Sequence, residues 1–217
     1  MTLRELLDFI PSQLVEAVIA AGCAAILGSY HISLARRLRT RPETTTMGRH
    51  RLARSAWARL PKGADRELVV VQSMRNLIMS ASFLASTAVL LAAGFLGAVS
   101  TTDKLSTFAQ SLNFVGVESL SFWLFKALFL AATFFVAFFA FSLAIRSFNH
   151  IWVMAACAQD TSVGEDAVGD EVERGALYYA CGMRGLYISI PLLLWLFGPI
   201  WLLAGTLLLV MVLRRID

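Results

Sequence analysis

The chain has 217 residues, of which 58% are apolar and 16% are charged. A soluble domain is usually about 45–50% apolar and about 25% charged. These values nearly exclude a water-soluble enzyme and a disordered chain, and they predict an integral membrane protein.

The net charge of +4 arises from basic residues that are unevenly distributed. Ten of the nineteen Lys and Arg residues lie between Arg36 and Arg66, together with only two acidic residues. A basic segment beside an apolar span indicates the cytoplasmic side and contact with lipid headgroups. No nucleic-acid-binding motif accompanies these residues, so we expect membrane lipid and no nucleic acid as a partner.

Four long apolar stretches follow one another along the chain, at about residues 14–35, 68–99, 120–145 and 187–213. Each exceeds the roughly 20 residues that cross a hydrocarbon core of about 30 Å. None alternates as a strand does, and helices satisfy their own backbone hydrogen bonds in lipid. The sequence therefore predicts an all-α polytopic membrane protein, with residues 1–217 as one domain of four transmembrane helices.

The charges between the stretches predict the orientation in the cell (inner) membrane. The basic segment 36–66 is expected in the cytoplasm, and segment 100–118, with one basic residue, is expected outside. The acidic segment 159–173 then forms a cytoplasmic loop, and both termini lie outside. Arg214 and Arg215 favour the opposite side for the C-terminus, but they are outnumbered by the ten basic residues of the first loop.

Apolar residues of the basic segment recur on one helical face, namely Leu52, Ala53, Ala56, Trp57 and Leu60. This pattern predicts a short amphipathic helix at the cytoplasmic surface, ended by Pro61, and the alternative is a solvated linker. Four arginines are expected to contact lipid headgroups: Arg49, Arg51, Arg54 and Arg59. The acidic segment either pairs with this basic segment or remains a solvated loop, in which Asp170 and Glu173 resemble a capping box.

All four predicted spans carry polar residues at one depth, the cytoplasmic interface. The residues are Tyr30, His31, Arg75, Asn76, Arg146, Asn149, His150 and Arg184. Guanidinium groups bind oxyanions in bidentate geometry, and Arg146, Asn149 and His150 share one helix face. The cluster therefore predicts an ion or anion pathway. The competing interpretation is that interfacial Arg and Tyr residues only anchor the helices.

Two histidines permit a second interpretation. His31 and His150 could ligate haem or, with Cys157 or Cys181, a transition metal. The chain contains neither C-x-x-C-H nor H-E-x-x-H, so a haem or metal cofactor is possible but not favoured. Because no catalytic motif is found either, we do not expect an enzyme.

Some features predict packing rather than chemistry. A small-residue ridge in the second span is expected to pack against the phenylalanines of the third; it consists of Ser82, Ser86, Ala93 and Gly97. Pro191 and Gly198-Pro199 predict a kink in the fourth span. Lys126, two turns into the third span, is expected to extend its ammonium group to the outer interface, near which Glu16 also lies.

Several segments resemble a known family. They include Gln72-Ser-Met-Arg-Asn-Leu-Ile-Met79, Ile145-Arg-Ser-Phe-Asn-His150 and Pro191-Leu-Leu-Leu-Trp-Leu-Phe-Gly-Pro199. Together they resemble the bacterial and plant membrane proteins gathered as domain of unknown function 599. The resemblance extends over nearly the whole chain and implies an integral membrane protein with four spans. It implies no activity, because none is assigned to the family.

The function that we expect is a homo-oligomeric channel or transporter for an ion or small anion. A lone four-helix bundle of this size leaves little room for a water path, so the path would lie between subunits. One alternative is a helical bundle that binds haem or a metal through His31 and His150. Another is a non-catalytic membrane subunit that binds a partner or anionic lipid.

Overall fold

The computed structural model describes residues 12–58, 64–101, 111–113, 119–157 and 165–217. These residues are helical apart from short turns, and no strand occurs among them. The helices are α1 (Ser12–Thr40), α2 (Thr46–Ala58), α3 (Ala64–Thr101), α4 (Leu120–Cys157), α5 (Glu165–Trp195) and α6 (Pro199–Ile216), with a 3-10 turn at Pro42–Thr44.

Five helices in the described ranges are long and apolar enough to cross a membrane: α1, α3, α4, α5 and α6. The predicted fold class is confirmed, although the described residues contain five candidate spans and the prediction has four. The last apolar stretch is divided by a turn at residues 196–198. Gly198 has φ 129°, and a Cβ at this position would lie 2.6 Å from Asn113 Oδ1. Only glycine fits this turn, so the predicted kink is a complete break between two helices.

The helices group into two compact units. Unit 1 contains the described residues of 1–36, 91–133 and 187–217, and unit 2 contains those of 37–90 and 134–186. The sequence predicted a single domain. Each unit has its own packing and its own polar side chains, and each is described separately below.

In unit 1, α1 and α6 run in the same direction. Cys23 of α1 packs with Leu202 near the start of α6. Two turns further along α1, Tyr30 donates a hydrogen bond to the side-chain carboxylate of Asp217, which follows α6. Because the contacts advance together along both helices, α1 and α6 are parallel.

In unit 2, α4 and α5 run antiparallel and pack aromatic rings on glycines. A Cβ at Gly182 would lie 2.8 Å from the ring of Phe141, and one at Gly175 would lie 2.7 Å from the ring of Phe148. Such distances leave no space for a side chain at either glycine. The two glycines therefore permit the close contact of the helices.

The small-residue ridge of α3 lies one position away from the predicted one. The buried residues are Ala81, Ala85, Ala88 and Ala92. Of the predicted residues, Ser86, Ala93 and Gly97 are exposed. Phe141 of α4 packs against Ala85 and Ala88, so the predicted packing of aromatic bulk on small residues does occur.

The basic and acidic segments meet in unit 2. The predicted amphipathic helix is present as α2, although Arg59, Leu60 and Pro61 lie outside the described residues. The predicted acidic loop is wrong from Glu165 onward, because α5 begins at this residue, before the expected capping box. Acidic residues stabilise the N-terminal turns of a helix, which explains why this segment is helical.

Candidate functional site

A polar cleft lies between α4 and α5 in unit 2. It has a volume of about 370 Å³ and is lined by Leu143, Arg146, Ser147, His150, Met154, Glu171, Arg174 and Tyr178. The residues from α4 recur every three to four positions, and so do those from α5. Each helix therefore contributes one face. We call this feature the α4–α5 cleft.

The charges of the α4–α5 cleft are only partly compensated. Arg174 Nη1 lies 3.3 Å from Glu171 Oε2, so these two groups form an ion pair within α5. Arg146 and His150 are exposed and make no hydrogen bond or ion pair with any residue that the structure describes. The cleft therefore presents one guanidinium group and one imidazole that are available to a ligand.

The cleft includes only part of the predicted polar cluster. Arg146 and His150 lie together in it, whereas Arg75, Asn76 and Asn149 are exposed and do not line it. Arg184, also in unit 2, points its Nη2 at the sulfur of Met47 at 3.8 Å. Tyr30 and His31 belong to unit 1. Tyr30 is buried beside Asp217, and His31 Nδ1 lies 2.8 Å from the carbonyl oxygen of Leu27.

The haem or metal interpretation rests on residues from both units. Among the described residues, no three His, Cys, Asp or Glu side chains are grouped so that they could hold a metal ion. His31 belongs to unit 1 and His150 to unit 2. Cys181 is exposed on α5, and the side chain of Cys157 lies outside the description.

The arginines that were expected to contact lipid headgroups differ in their surroundings. Arg51 Nε lies 3.3 Å and Arg54 Nη2 lies 2.9 Å from the carboxylate oxygens of Glu173. These two contacts join α2 to α5, as the pairing of the basic and acidic segments predicts. Arg49 is exposed and remains available to lipid.

A second polar feature is buried in unit 1. Glu16 of α1 and Lys126 of α4 form an ion pair, and the two residues are only 1% and 3% exposed. Trp195, the last residue of α5, donates a hydrogen bond from Nε1 to Glu16 Oε1 at 3.0 Å. The expectation that Lys126 extends to the interface is therefore wrong. The nearby carboxylate keeps its ammonium group inside the protein.

Aromatic rings enclose the ammonium group of Lys126. Its Nζ lies 4.8 Å from the ring centroid of Phe122 and 5.4 Å from that of Trp195. These two rings meet edge to face at 6.2 Å. A cation over an aromatic face is attracted by the quadrupole of the ring. The ammonium group thus has two kinds of partner, one carboxylate and two rings.

Sequence reasoning missed two parts of these sites. The first is a polar helix face, which is indicated by the spacing i, i+3 and i+7 of Glu171, Arg174 and Tyr178. The many acidic residues of the segment obscure this pattern in the sequence. The second is the buried pair of Glu16 and Lys126. The sequence shows opposite charges in two apolar spans, but it does not show that these two side chains meet.

The apolar helices define a multi-pass membrane protein. The model of the family described as a protein of unknown function, DUF599, matches residues 18–217. The chain therefore belongs to this family, and the resemblance found in the sequence is confirmed. No curated protein and no solved structure matches the chain.

Proposed function

We propose that the protein is a homo-oligomeric channel or transporter of the cell (inner) membrane that moves a small anion by way of the α4–α5 cleft. The supporting observation is that Arg146 and His150 share this cleft and have no partner among the described residues. A guanidinium group that has no ion-pair partner among the described residues favours an anionic ligand.

The size and the donors of the cleft indicate the class of anion. Ligand sites commonly have volumes of about 300–1,000 Å³, and the cleft, at about 370 Å³, is at the small end of this range. Ser147 and Tyr178 add hydroxyl groups, which complement guanidinium and imidazole donors. Because Glu171 offsets the charge of Arg174, the cleft suits a small oxyanion such as phosphate or a carboxylate.

The contacts within each unit support a revised membrane topology. α1 and α6 are parallel in unit 1, and in unit 2 α4 is antiparallel to α5. If the basic segment lies in the cytoplasm, five crossings would give an N-terminus outside and a C-terminus in the cytoplasm. Arg214 and Arg215 then lie on the same side as the basic segment, so the conflict within the four-span interpretation disappears.

The exposed apolar surface supports an oligomer. Between 17% and 39% of the most apolar window of each candidate span is buried within the chain. The remainder faces lipid or further copies of the chain. Copies arranged around a closed axis would provide a water path between subunits.

The proposal is tested by anion flux into liposomes that contain the purified protein. Liposomes with the wild type are expected to take up phosphate or a small carboxylate faster than empty liposomes. R146Q is expected to reduce this rate at least tenfold, because it removes the uncompensated charge of the cleft. R215Q is the matched control, since Arg215 is an exposed arginine at the end of α6.

Two outcomes would overturn the proposal. In one, the wild type moves none of a panel of small anions. In the other, R146Q and R215Q have the same effect on the rate of uptake. A rate that falls only in R146Q supports the cleft as the path.

A second proposal concerns the lipid partner. Exposed Arg49 and His50 lie on α2, whose residues Thr46–Ala58 include no Asp or Glu. Basic surface helices bind anionic headgroups. The R49Q variant is expected to co-purify with less anionic lipid than the wild type does. Lipid mass spectrometry measures this difference. Equal lipid content in both proteins would contradict it.

A further inference from the structure

We propose that Glu16 and Lys126 form a proton-binding site in the membrane-spanning part of unit 1, and that Trp195 senses its occupancy. The proton would bind to the carboxylate of Glu16. This site lies apart from the residues of the α4–α5 cleft, and the proposal does not depend on which anion the protein moves.

The burial of the pair is the first argument. Glu16 and Lys126 are 1% and 3% exposed, on two helices that are long and apolar enough to cross a membrane. A buried ion pair is weak evidence for stability, because apolar residues of similar volume often stabilise a protein as well or better. Ionisable residues within membrane spans commonly mark ion pathways and proton relays. A functional role therefore explains the pair better than stability does.

The surroundings of Lys126 are the second argument. When Glu16 takes up a proton, an O–H bond forms on its carboxylate and the charge of Lys126 loses its counter-ion. The rings of Phe122 and Trp195 then still face the ammonium group, at 4.8 and 5.4 Å. Cation–π attraction of this kind lowers the cost of the uncompensated charge. No electron is transferred, and Lys126 keeps its protons.

The pair is surrounded by residues of four helices. Glu16 lies on α1, and Lys126 lies six residues after the start of α4, about 9 Å along that helix. α5 contributes Trp195 to the pair, and α6 contributes Leu202 beside Cys23. The nearest other titratable group that the structure describes on α1 is Cys23, about 10 Å further along. Tyr30 and Asp217 lie about 21 Å away along α1.

The bond from Trp195 connects the site to a turn of the chain. Trp195 Nε1 donates to Glu16 Oε1, and the turn of residues 196–198 follows directly. A hydrogen bond to a carboxylate is about twice as strong as one to a neutral group. Protonation of Glu16 would therefore loosen Trp195 at the end of α5.

The test combines infrared difference spectroscopy with tryptophan fluorescence in lipid nanodiscs, during acidification. We expect the wild type to gain the carboxylic acid C=O signal of one buried group per chain, together with a change in the fluorescence that W195F lacks. E16Q is expected to lack both changes. E43Q is the matched control, because Glu43 is an exposed carboxylate and its loss should leave the Trp195 change intact.

A folding defect in E16Q would not prevent the test. The double variant E16Q/K126M removes both charges and leaves no unpaired ion, and it is expected to lack the two changes as well. The proposal is overturned if the wild type shows neither change, or if the folded E16Q or E16Q/K126M protein shows both at full size. This experiment measures neither the binding nor the uptake of an anion, so such a failure leaves the anion proposal untouched.

Discussion

Two charged sites, one in each unit, differ in whether their charges are compensated. In unit 1, Glu16 and Lys126 are buried and compensate each other. In unit 2, Arg146 and His150 are exposed in a cleft and have no partner among the described residues. The comparison shows that a charge buried among apolar helices requires a partner, whereas a charge at an open cleft remains available to a ligand.

The largest expected effect comes from breaking the buried pair. K126M leaves the carboxylate of Glu16 without its counter-ion and is expected to cost about 3–5 kcal/mol of stability. Thermal unfolding of the purified protein in detergent measures this loss. R146Q, in the open cleft, is expected to change stability by no more than about 0.5 kcal/mol.

The double variant E16Q/K126M sharpens the same comparison. It removes both buried charges, so it is expected to recover most of the stability that K126M loses. If K126M and R146Q unfolded at the same temperature, the contrast between the two units would be wrong.

A medium effect is expected from packing in unit 2 without any change in charge. G182V adds a side chain at a position where even a Cβ would lie only 2.8 Å from the ring of Phe141. Overpacking of this kind costs about 1–3 kcal/mol. G97A is the control, because nothing lies within 4 Å of a Cβ at Gly97. Thermal unfolding in detergent should separate the two, and equal melting temperatures would contradict the packing of α4 on α5.

The smallest effect is expected for the partly exposed charges that join α2 to α5. E173Q weakens the contacts of Arg51 and Arg54 with the carboxylate. Because these side chains are partly exposed, the loss should be about 0.5–1 kcal/mol. High salt should reduce the difference between E173Q and the wild type, and a salt-independent difference would rule out an electrostatic cause.

The sequence was sufficient to predict the fold class and most of the helices. Long apolar runs identify spans because the hydrocarbon core excludes unpaired backbone groups. The break at Gly198 was underestimated, since a glycine and a proline in an apolar run are compatible with a kink or with a turn. The positive φ of Gly198 and its contact with Asn113 depend on residues distant in the sequence.

The candidate sites were predicted only in part. Arg146 and His150 were found because a spacing of four places them on one helix face. Arg174 and Glu171 were missed, because which faces of two helices meet depends on packing, here on Gly175 and Phe148. The pairing of Glu16 with Lys126 was missed for the same reason: depth alone does not show that a carboxylate lies beside a lysine.

The central claim is that the cleft of unit 2, and not the buried pair of unit 1, receives the anion. Thermal unfolding of three purified proteins with increasing phosphate tests it most directly. Phosphate is expected to raise the melting temperature of the wild type and of E16Q/K126M by similar amounts, and not that of R146Q. Two results would contradict the account. In one, phosphate raises the melting temperature of R146Q as much as that of the wild type. In the other, phosphate fails to raise the melting temperature of E16Q/K126M alone.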